Sequence, residues 1–144
     1  MSVPPETIHV IRKWVEKAEG DLVAARHMLK MKKNCPFHIA CFLAQQCAEK
    51  YLKALLTLQS RAFPKTHDLS ELFALLETGS DLEVKKSDLI IISRHAVDAR
   101  YPGESDPLTR SDAEQAVKIA AGIRKAVRDK LPREALALGN RGRS

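Results

Sequence analysis

The sequence predicts an all-α fold, a four- to five-helix up-and-down antiparallel bundle, on three observations. Apolar residues recur at alternating steps of three and four, the connections between such stretches are short, and only one short run would also suit a strand. Ile8, Ile11, Val15, Ala18, Leu22, Ala25 and Leu29 lie on one stripe of a first helix from about Thr7 to Met31. Pro4 and Pro5 precede it, and the polar KMKKN segment ends it. A second helix starts at Pro36, a residue suited to a first turn, and runs to about Gln59. Phe63 before Pro64 is biased away from helix, and Thr66 or Asp68 can cap a third helix from Leu69 to Glu77. A fourth is expected from Glu83 to about Ala99, although Leu89 to Ile92 would also fit a buried strand. Ser111 with Glu114 has the pattern of a capping box in front of a fifth helix that reaches Lys130.

With 144 residues and 44% hydrophobic content, the chain suits one domain with one core. The expected division is a bundle over residues 1–132 and a basic, flexible C-terminal tail over 133–144. Twenty-four Lys and Arg against eighteen Asp and Glu give a net charge of +6, which favours acidic or phosphate-bearing partners. Cys35, Cys41 and Cys47 form no CxxC pair, and His9, His27 and His38 lack partners at ligand spacing, so no metal and no cofactor are expected. The three thiols fit small buried residues in a reducing cytoplasm. The N-terminus has no signal pattern and no apolar run approaches a membrane span, so no membrane partner is expected.

Winding the second helix at 100° per residue puts Ala40, Leu43, Ala44, Cys47, Ala48, Tyr51, Ala54 and Leu55 on one broad core face. The opposite face mixes apolar Phe42 and Leu56 with Gln46, Glu49 and Lys53, as expected where a second surface is covered by a partner subunit or ligand. Phe42, Gln46, Glu49 and Leu56 are therefore candidate interface residues. Gln45 and Lys50 border the core face and read as rim positions.

The string CFLAQQCAEKYLKALL, followed by FPKTHDLSEL and later ARYP, resembles the HEPN family of small helical domains, named for higher eukaryotes and prokaryotes nucleotide-binding. WVEKAEGDLVAARHML resembles the family's first helix, and the likeness spans roughly residues 10 to 130. The resemblance implies a homodimer that binds nucleotide or RNA, is often paired with a nucleotidyltransferase in a toxin-antitoxin module, and in many members is a metal-independent RNase. RNase members carry Arg, four to six residues, then His on the fourth helix. Here RHAVDARYP begins with Arg94 but has Arg100 where the His is expected, directly before Tyr101.

That substitution matters chemically. Cleaving RNA without metal takes a group that moves a proton and a cation for the phosphate; His serves the first, Arg only the second. Arg94, Arg100, Tyr101 and Lys53 are accordingly the candidate nucleotide- or phosphate-binding residues. His67 is the candidate catalytic base.

Overall fold

The computed structural model describes residues 2–77, 81–100 and 107–136, with Arg100 described by its backbone. Five α-helices follow in order: α1 Pro5–Leu29, α2 Phe37–Leu58, α3 Leu69–Ala74, α4 Lys86–Arg100 and α5 Arg110–Arg128, then a 3₁₀ turn at Arg133–Leu136. No strand occurs among the described residues. The helix α1 starts at Pro5, earlier than expected, because a proline in the first turn has no amide left unsatisfied. The amides of Thr7 and Ile8 bond to the Pro4 carbonyl, both at 3.0 Å. Its stripe from Ile8 to Ala25 is buried as the periodicity predicts.

The fold is organised around α2, which packs against α1, α3, α4 and α5. Its closest association is with α1, where Ala18 and Ala25 and, on α2, Ala40, Ala44 and Ala48 are fully buried. Small side chains let the two backbones approach. Cys41 and Cys47 belong to the same core, and burial pushes both thiols up to about 12, which leaves them without thiolate character. Being covered on several sides, α2 buries more than its predicted face: Leu56 is fully enclosed, and so nearly are Gln45 (1% exposed), Glu49 (3%) and Lys53 (8%).

The ambiguous LIII run is helical. Leu89, Ile92 and Ala96 point inward at helical spacing while Ile90 and Val97 are each 53% exposed, whereas a strand would have turned Ile90 and Ile92 to the same side. In α3 the Asp68 side chain accepts from the Ser70 and Glu71 amides, and the helix stops at Ala74, three residues short of expectation. The capping box of α5 is Thr109 with Asp112 rather than Ser111 with Glu114. Thr109 lies outside the helix with extended backbone, while Ser111 is already within its first turn and cannot be the cap. Beside this cap, Arg110 donates to the carbonyls of Leu29 at 2.7 Å and Met31 at 2.8 Å and stacks over Phe37, tying the end of α1 to the starts of α2 and α5. The packed chain continues past Pro132: Ala135 is buried and Arg12 donates to the Glu134 carbonyl. Residues 137–144, most of the expected tail, lie outside the described residues.

A polar cluster crosses the core between α1, α2 and α5. Tyr51 donates to Glu19 at 2.5 Å, Arg124 clasps the same carboxylate through Nε (2.7 Å) and Nη2 (3.0 Å), and Arg128 donates to the Tyr51 oxygen at 3.2 Å. Both Glu19 oxygens and the Tyr51 hydroxyl are bonded within the chain, which suits a role in holding the three helices together. Tyr51→Phe keeps the ring but removes a donor to Glu19 and an acceptor for Arg128; urea unfolding is expected to show a loss of about 2 kcal/mol.

Candidate functional site

Gln45, Glu49 and Lys53 stand one helical turn apart on α2 and form a polar ladder on the face turned toward the loop before α3. Lys53 Nζ donates to Glu49 Oε2 at 2.9 Å. The same ammonium lies 5.6 Å from the Trp14 ring centre and 5.7 Å from that of Phe63, and the two rings meet edge to face. A buried cation is tolerated here because an anion and two π faces replace its water.

The upper part of the ladder holds the loop. Gln45 Nε2 donates to the His67 carbonyl at 2.7 Å, and His67 Nδ1 is 2.8 Å from Glu49 Oε1. Gln46 Nε2 bonds to Gln45 Oε1 at 2.9 Å and approaches Glu49 Oε1 at 3.3 Å. Burial alone would raise the Glu49 pKa, but hydrogen bonds from Lys53 and His67, with their charges, outweigh it and hold the carboxyl below its ordinary value. An ionised carboxylate only accepts, so the proton between the two residues sits on His67 Nδ1. Nε2 is the ring nitrogen on the far side from the carboxylate. That side chain is 59% exposed, against 5% for Glu49, and its Nε2 bonds to no described residue.

His67 forms part of the wall of a groove of about 450 Å³. Gln45, Asp68 and Ser70 complete its side, and Ile90, Ser93, Arg94, Ala96 and Val97 of α4 make the other. Arg94 is exposed and forms no ion pair among the described residues, and the Ser93 hydroxyl is buried without a hydrogen-bond partner. His95, one residue on, turns away toward Gln115 of α5. No group of three His, Cys, Asp or Glu among the described residues is arranged to hold a metal ion.

The structure thus brings Arg94 and His67 to one groove. Lys53 is set behind it, neutralised by Glu49. Of the residues expected to await a second subunit, Glu49 and Leu56 are covered by the chain itself, and Phe42 and Gln46 are half-buried. The Arg100 side chain and Tyr101 lie outside what is described. Gln45, read from the sequence as a rim residue, is buried and holds the His67 loop; its spacing of four from Glu49 and eight from Lys53 was the available signal. Nothing in the sequence marked Trp14 and Phe63 as the walls around Lys53, or Ser93 as part of the groove.

The Glu19 carboxyl is also held below its ordinary value; burial opposes this, and the Arg124 and Tyr51 hydrogen bonds with the Arg124 and Arg128 charges prevail. Carboxyls with a lowered folded-state pKa stabilise above their unfolded pKa and lose that contribution as pH falls through the folded value. Thermal melts are therefore expected to hold level from pH 7 to about 5 and to fall below about 4.5. Lys53→Met should lower the melt at pH 7, by about 3 kcal/mol in stability, and make the acid decline shallower, because Glu49 loses its main counter-charge.

The HEPN domain model matches residues 11–130. The crystal structure of TT1696 from Thermus thermophilus superposes with a TM-score of 0.71 at 30% identity, covering 84% of this chain and 98% of that one. ST0689, described as an archaeal HEPN homologue, superposes with a TM-score of 0.65 at 29% identity, covering 83% and 96%. No curated protein matches significantly. A helical bundle built on a central α2, matched over most of its length by one domain model and by structures of the same architecture, places the chain in the HEPN domain family.

Proposed function

We propose that this HEPN protein binds RNA or a nucleotide through the groove between α4 and the His67 loop, in the cytoplasm, as the HEPN half of a toxin-antitoxin-like module with a nucleotidyltransferase. The observation that carries the reading is the convergence of Arg94 and His67 on one open groove. An exposed guanidinium binds phosphate well, and an imidazole can bond to one of its remaining oxygens. The +6 charge adds long-range attraction for a polyanion. In this proposal Arg100 and Tyr101, which lie outside what is described, are also phosphate-binding residues.

The homodimer in this reading forms along α4, where Ile90 and Val97 flank Arg94 and leave apolar surface in water. Pairing two copies there would join their grooves into one cleft. This moves the expected interface from α2 to α4, because Glu49 and Leu56 are already covered.

Filter binding with a single-stranded RNA oligonucleotide across a salt series tests the groove. Arg94→Ala is expected to weaken binding about tenfold and to reduce the slope of log affinity against log salt by about one. Unchanged affinity and slope would refute it in favour of a helical dimer that acts through protein contacts alone. Val97→Glu is expected to shift the protein from dimer to monomer in light scattering at micromolar concentration; a wild-type monomer would remove the paired cleft.

A further inference from the structure

We propose, resting on the groove reading above, that the groove is a proton-linked phosphate site in which one proton on His67 decides whether the lining attracts an anion. Among the described residues the ionisable side chains of that lining are His67, Asp68 and Arg94. The charge of Asp68 offsets that of Arg94, so with a neutral imidazole the lining carries no net charge. Protonating His67 makes it positive by one. Histidine is the side chain whose charge ordinarily changes between about pH 5 and 8.

The structure puts the added charge where a ligand meets it. His67 Nδ1 is engaged by Glu49 at 2.8 Å, so the second proton enters at Nε2, which bonds to no described residue on a side chain 59% exposed. The Gln45 bond to the His67 carbonyl holds the backbone that carries the ring. Once protonated, Nε2 is a donor, and it then shares the groove with the Arg94 guanidinium, one cation from the loop before α3 and one from α4. Asp68 Oδ1 is turned to the α3 amides, 2.9 Å from that of Ser70, which directs part of its charge to the cap.

The charged groups around the ring can be assigned element by element. From α2 it meets Glu49, which Lys53 backs at 2.9 Å; α4 brings Arg94, and α3 adds Ser70 but no charge to the lining. Burial raises the Glu49 pKa, yet the hydrogen bonds and charges of Lys53 and His67 hold the carboxyl below its ordinary value, so it stays ionised while the ring titrates. A carboxylate of constant charge behind the ring stabilises the imidazolium. Linkage then runs both ways: protons raise the affinity for phosphate, and bound phosphate raises the ring's affinity for a proton by the same factor. An opposite charge within about 4–6 Å shifts a titration by about one unit or more, which corresponds to a gain in affinity of about tenfold.

The test is isothermal titration of the full-length protein with a short oligouridylate RNA that has hydroxyl groups at both ends. Its phosphodiesters and bases keep one charge state from about pH 8 to about 5.5, the range in which histidine titrates, so a pH effect belongs to the protein. At low salt the Kd is expected to fall about tenfold between those limits, with net proton uptake read from the heats in buffers of different ionisation enthalpy. His67→Gln, at an exposed position and still able to donate to Glu49, should hold its Kd within about twofold across the range and take up no proton. Arg94→Ala should bind more weakly at every pH and keep the pH dependence. Glu49→Gln combined with Lys53→Met, which leaves no buried charge without its partner, should move the rise in affinity to lower pH, since an imidazolium with no anion behind it releases its proton more readily. Binding that is level with pH, or a wild-type pH dependence in His67→Gln, would overturn the proton link and leave the groove standing. RNA not bound at any pH would overturn both.

Discussion

The structure depends on one constraint: α2 sits at the centre of the bundle and must satisfy its polar side chains without water. A helix with neighbours on several sides is usually apolar all round. This one carries Gln45, Glu49, Tyr51 and Lys53 into the interior, so each needs a partner supplied from elsewhere in the chain. The remaining elements are arranged to provide them. α1 offers Glu19 on one side and Trp14 on the other, α5 offers Arg124 and Arg128, and the loop before α3 offers His67 and Phe63.

The two polar clusters so formed differ in how they meet the surface. Around Glu19 and Tyr51 the carboxylate and the hydroxyl are both bonded to side chains of neighbouring helices. Around Glu49 the chain of contacts runs outward, from a buried ammonium through a buried carboxylate to an exposed imidazole whose Nε2 bonds to no described residue. Lys53 also takes a different part from the one its charge suggests. Held between Trp14, Phe63 and Glu49, it keeps the carboxylate ionised where it stands, and the cation that faces the groove is Arg94.

Local sequence signals carried the fold well because they report local physics. The stripe of α1, the apolar face of α2 and the Asp68 cap each depend on residues within a few positions of one another. Errors arose where two local patterns competed or where the decisive partner was distant. Thr109 and Ser111 both precede an acid by three, and only the backbone conformation chooses between them. The LIII run fits strand or helix until it is known that Ile90 faces water while Leu89 and Ile92 face the core.

By itself the sequence determined a helical bundle, a mixed polar and apolar face on the second helix, the family resemblance and the absence of a histidine six residues after Arg94. These follow from periodicity, residue type and spacing along one chain. Only the tertiary structure decided that Gln45, Glu49 and Lys53 form a buried ladder, that Gln45 and Glu49 hold His67, and that His67 shares a groove with Arg94 although it lies 27 positions earlier in sequence. The physical reason is that burial and pairing are set by what packs against a helix face, and a helical wheel shows the face without showing its neighbour.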